Sequence, residues 1–105
     1  MEARGAVAEF KLEVQFWAAK LRVRPRRIEI RRMTRKWASC SPGGRICFSK
    51  DVIPAARKFR AYVILHELLH LRYPNHGKLF RRLLSTLSGI SEPRTLGKVA
   101  GSPRR

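Results

Sequence analysis

Apolar residues at Val7, Phe10, Val14, Trp17 and Leu21 recur at steps of three and four. That spacing lines one face of a helix and predicts an amphipathic helix from about Ala6 to Leu21. Its stripe reads as core packing, and Pro25 is expected to end it and open an extended segment. Ile28 and Ile30 alternate with Arg27, Glu29 and Arg31, the two-residue period of a half-buried strand. From Lys36 to Gly44, small residues, a proline and paired glycines mark a tight loop. Arg45-Ile46-Cys47-Phe48 then resumes alternation, with Ile46 and Phe48 inward. The two strands are expected to pair through the loop as a small antiparallel sheet.

Asp51 to Pro54 leads into a long helix, with Pro54 suited to its first turn. The helix should run to about Arg72 or Tyr73, because Pro74 disfavours helix in the residue before it. Tyr62, Val63, Ile64, Leu65, Leu68, Leu69 and Leu71 make it apolar on nearly every face, which predicts burial. After a short turn at Tyr73-Pro74-Asn75, Leu79, Phe80, Leu83, Leu84 and Leu87 pattern a final helix that stops at Gly89. These elements predict an α+β chain: one domain over residues 1–93 and a flexible basic tail over 94–105. No repeat, second domain or Gly-rich phosphate loop interrupts the pattern.

Composition narrows the setting. The chain has 105 residues, enough for one domain with a modest core. No apolar run approaches the roughly 18 residues of a membrane span, and Glu9, Lys11 and Glu13 break up any leader-like stretch. A cytoplasmic protein is therefore expected, with Cys40 and Cys47 as free thiols. The net charge of +17 suits anionic partners such as nucleic acid, nucleotides or acidic peptides. Basic residues crowd most densely between Arg22 and Lys36, where Glu29 is the sole acid. The oligomeric state is not legible.

The chemistry sits in the buried helix. All 3 histidines of the chain fall between His66 and His76. His66-Glu67-Leu68-Leu69-His70 puts two imidazoles at i and i+4, one above the other on a helix face. Two such nitrogens can share one zinc ion, and Glu67, about 100° round the helix, can reach a water bound there. A buried histidine pair and glutamate need partners, because unpaired buried polar groups are costly. A third ligand must come from beyond the helix. Glu92 is one choice. His76 is the better one, because it follows a turn where the chain must reverse and neutral imidazole suits zinc. The His70–His76 spacing equals that of the metzincins. However, Tyr73 stands where they have glycine, and the only methionines are Met1 and Met33, so a metzincin proper is not expected.

Beyond HExxH, a longer pattern emerges. Lys36-Trp37-Ala38-Ser39-Cys40-Ser41, Gly44-Arg45-Ile46, Tyr62 through Leu71, and Asn75-His76-Gly77 with Phe80 following stand in one order and spacing. Over roughly Arg27 to Leu84 the chain resembles the YgjP-like metal-dependent hydrolases, zincin-like proteins related to the SprT and WLM metallopeptidases. Ala38 departs from that family's pattern, which has glycine there. The resemblance implies a minimal zincin-like α+β fold, zinc on His66, His70 and His76, and Glu67 as base. It also implies that the Trp37–Ser41 segment lies near the site. Composition alone would make Trp37 a core residue and Cys40 an inert thiol.

The expected function is zinc-dependent hydrolysis, with peptide bonds as the leading substrate. Zinc lowers the pKa of bound water toward about 7, and Glu67 would take its proton. Two rivals stand beside it: a nucleotide phosphohydrolase on the same zinc, and a nucleic-acid-binding protein with a structural zinc. The structural site would need a fourth protein ligand, such as Cys40, Cys47 or Glu92.

Overall fold

The computed structural model describes residues 3–90. Glu92 and the predicted tail over 94–105 lie outside them. Three helices and a three-stranded mixed sheet make up the α+β fold.

Helix α1 spans Ala3–Leu21 and buries Phe10, Val14 and Ala18, with Trp17 and Leu21 packed partly against the core. It stops before Pro25 is reached. Arg22 takes a left-handed φ of 58°, Arg22 N–H donates to the Ala19 carbonyl and Val23 N–H to that of Ala18. This bond pair is a Schellman stop, here built on arginine rather than glycine.

The sheet corrects the expected pairing. Strands β1 (Arg27–Arg31) and β3 (Arg45–Ser49) run parallel, with Ile28 opposite Ile46 and Ile30 opposite Phe48. A further strand, β2 (Ala38–Cys40), lies antiparallel on the other side of β3, giving the order β1-β3-β2. The expected loop thus contains a short strand, and its tight turn joins β2 to β3 rather than β1 to β3. Pro42 and Gly43 occupy the centre of that turn, which Gly44 N–H closes by donating to the Ser41 carbonyl. Gly44 has φ 90°, the left-handed bulge position of a three-residue hairpin. Ala38 stands in extended strand and is buried, so no glycine is needed there.

After a 3-10 turn at Lys50–Val52, helix α2 spans Arg57–Leu69. It begins after Pro54 and ends earlier than expected. Leu71 N–H donates to the Leu68 carbonyl and Arg72 N–H to that of Leu69, so the chain tightens to 3-10 pitch before Pro74. Every residue from Ala61 to Leu69 is buried. Each fully buried aliphatic side chain among them contributes roughly 1.5–3 kcal/mol of transfer free energy. Glu13 of α1 accepts from Arg60 Nε of α2 at 2.9 Å. Helix α3 (Lys78–Ser88) buries Phe80 and Leu84 against α2 and stops at Gly89, φ 81°.

A Cβ on Gly44 would lie 3.1 Å from Arg26 Cγ, on a backbone that side chains rarely adopt. Gly44→Ala should therefore lower unfolding free energy by about 1–3 kcal/mol. Denaturant titration checks this, and an unchanged midpoint would contradict it.

Candidate metal centre

The three histidines meet where α2 ends and α3 begins. His66 stands in the last turn of α2, His70 caps its C-terminus, and His76 lies just before Gly77, the N-cap of α3. The turn at Pro74 reverses the chain and returns His76 to the helix it left. One ligand atom from each imidazole falls within 4.8 Å of the others. His70 Nε2 and His76 Nε2 stand 2.9 Å apart. Two nitrogens on one tetrahedral zinc would be separated by about 3.3 Å, from bond lengths near 2.05 Å. The arrangement therefore suits a single small cation with a neutral nitrogen donor set.

The surroundings hold the imidazoles in ligand form. His66 is 4% exposed and its Nδ1 faces Glu67 Oε2 at 3.1 Å. A carboxylate there favours the Nδ1–H tautomer and leaves the Nε2 lone pair free. The His70 pKa is lowered below the usual histidine value, chiefly by burial; Glu67 and a hydrogen bond to the Pro74 carbonyl oppose this, and His66 adds to it. A neutral imidazole at physiological pH is the form that binds a metal.

Phe80 completes the cluster. Its ring centroid lies 5.6, 5.0 and 4.7 Å from those of His66, His70 and His76. The helical period marked Phe80 only as core. The available signal for this contact was its place after Asn75-His76-Gly77 in the family pattern.

A cleft of about 340 Å³ opens beside the cluster, lined by Lys36, Ser39, Cys40, Ser41, Pro42, Glu67, His70 and Pro74. The segment implied to lie near the site thus reaches it through Ser39–Ser41. Trp37 instead packs edge-on against Phe59 of α2 at 4.9 Å, as a core residue would. Cys40 and Cys47 are free thiols. Among the described residues, no cysteine or carboxylate joins the three histidines as a fourth ligand. β2 is an edge strand. Trp37, Ser39 and Ser41 are the positions that bond toward β3, so the main-chain groups of Ala38 and Cys40 point the other way.

A buried helix bearing HExxH, packed against a small sheet and followed by a turn that returns a third histidine, is a minimal zincin-like metallopeptidase architecture. The crystal structure of the metallopeptidase zymogen abylysin from Pyrococcus abyssi superposes on it with a TM-score of 0.67 at 20% identity, over 87% of this chain and 95% of that one. Residues 2–92 match the family described as YgjP-like, metallopeptidase domain, and the chain belongs to that family. No curated protein matches the sequence. Among the described residues, no helix is long and apolar enough to cross a membrane.

Burial, with the Glu67 charge adding to it, pushes the Cys40 thiol up to about 11 from 9.0. Alkylation needs the thiolate, so in metal-free protein at pH 8 Cys40 should react with iodoacetamide on the order of 100-fold more slowly than an unperturbed thiol. Mass spectrometry of a Cys47→Ser variant, with a short cysteine peptide as reference, checks this; comparable rates would contradict it.

Proposed function

We propose that the chain is a zinc-dependent peptide hydrolase in which His66, His70 and His76 hold one zinc ion and Glu67 is the general base. The observation that carries this reading is the convergence of three imidazole ligand atoms beside a buried carboxylate, on a cleft bounded by an edge strand. Bound zinc supplies Lewis acidity toward the scissile carbonyl and acidifies an attacking water.

The protein's own groups do the rest. Glu67, 2% exposed and 3.1 Å from the His66 ring, would take the proton of the attacking water. It then passes that proton to the departing amine, the usual sequence for a base that turns acid. The outward main-chain groups of Ala38 and Cys40 offer an extended peptide the hydrogen bonds of an added strand. That edge favours a peptide over a nucleotide, and no Gly-rich phosphate loop speaks for the latter. A ligand set of three histidines leaves a coordination position for water, which supports catalysis over a structural site.

Metal analysis of purified variants tests the ligands. Wild-type protein should carry about one zinc per chain. His66→Ala and His70→Ala should lose nearly all of it and His76→Ala most of it, whereas Glu92→Ala should keep it. Full occupancy in either α2 variant would end the assignment, and metal loss in Glu92→Ala alone would move the third ligand there.

Glu67→Gln separates the base from the ligands. Zinc content and thermal stability should persist, while cleavage of a peptide-library substrate turned over by wild type should fall by roughly 10²–10⁴. Normal zinc with undiminished hydrolysis would remove Glu67 from the mechanism.

A further inference from the structure

We infer that the outer face of the sheet is a docking surface for the phosphate backbone of duplex nucleic acid, read without regard to sequence. The strand registers divide the sheet cleanly. Ile28, Ile30, Ile46, Phe48, Ala38 and Cys40 share the inner face, toward the core. Arg27, Glu29 and Arg31 of β1 share the other face with Arg45 and Cys47 of β3. Arg27, Arg31 and Arg45 are exposed. Arg27 and Arg45 stand directly opposite each other.

Two of the cations on this face, Arg27 and Arg31, are held in place. Glu29 accepts from Arg27 Nε at 2.9 Å and from Arg31 Nη2 at 3.1 Å. Its side chain is 19% exposed against 67% and 64% for the two arginines, so the acid lies beneath and the guanidiniums stand above. Such anchoring lowers the entropy lost when a guanidinium binds a phosphate. Arg31 and Lys36 both act electrostatically on the Cys47 thiol, so Lys36 adds its charge to the same region. Residues two apart on a strand stand about 6.6 Å from each other, which lets a polymer of phosphates meet several cations at once. Arg22, Arg24, Arg26, Arg32 and Arg35 flank β1 and are exposed.

What the face lacks identifies its partner. Among the described residues, the exposed large hydrophobics Leu12, Phe16 and Leu79 all lie on helices. A protein interface or a membrane-inserting surface would want apolar anchors here, and a single-strand platform would want aromatics for base stacking. Rigid guanidiniums without either fit the backbone of a duplex.

The test is fluorescence anisotropy with a labelled duplex DNA of arbitrary sequence at low and moderate salt. Wild type should bind at low salt and weaken steeply as salt rises. Arg27→Gln/Arg31→Gln/Arg45→Gln should bind at least about tenfold more weakly at low salt, with a salt slope shallower by roughly two to three. Lys11→Gln/Arg57→Gln/Lys58→Gln removes the same charge from the helices and should bind within about twofold of wild type. Both triple variants should unfold at the wild-type temperature, so that a loss confined to the sheet variant reports lost phosphate contacts rather than lost fold. No binding by wild type, or equal losses in the two triple variants, would overturn the inference. So would tighter binding to single strands of the same length, or binding confined to phosphatidylserine vesicles.

Discussion

Helix α2 is buried from Ala61 to Leu69 with two polar residues inside that stretch, His66 and Glu67. The rest of the structure answers to that constraint. A helix without a solvent face must be covered from all sides, and α1, the sheet and α3 supply the cover. Polar groups carried into such a core must find partners or cost several kcal/mol. His66 and Glu67 find each other at 3.1 Å, and His70, half out at the helix end, finds His76. The packing that stabilises the domain and the chemistry that it offers therefore occupy one element.

The end of α2 matters as much as its middle. Had the helix continued in regular pitch to Tyr73, Pro74 and His76 would have left along its axis. The 3-10 tightening after Leu69 and the turn at Pro74 bring the chain back within ring contact of His66 and His70. Phe80, on the first turn of α3, is the apolar surface on which the three imidazoles collect. Helix pairing and ligand convergence are thus a single packing event.

Much of this was legible in the chain. The three- and four-residue spacing of α1 and α3, the stop at Gly89 and the uninterrupted apolar run of α2 all match the structure closely. So does the meeting of His66 and His70, because i and i+4 on a helix is geometry rather than context, while His76 joins them through the turn at Pro74. The sheet was harder. β2 is only 3 residues long and lacks a full period of alternation, so Ala38-Ser39-Cys40 looks like a loop. With β2 unseen, the turn at Pro42 falls between β1 and β3 and makes them look antiparallel, whereas they pair in parallel. Phe80's contact with all three imidazoles is a tertiary fact. In the sequence it is one apolar residue in a helical stripe.

A three-stranded sheet has two edges, and this one treats them differently. β1 carries charged Arg27, Glu29 and Arg31 along its length, which discourages a second copy from adding there. β2 has no such guard, since its residues are alanine, serine and cysteine. Its protection is brevity and position: a strand of 3 residues set against α2 gives another sheet little to grip. The edge left open is therefore long enough to hold a short extended segment and too short to seed fibril-like stacking. A substitution that lengthened β2 would trade that selectivity for self-association.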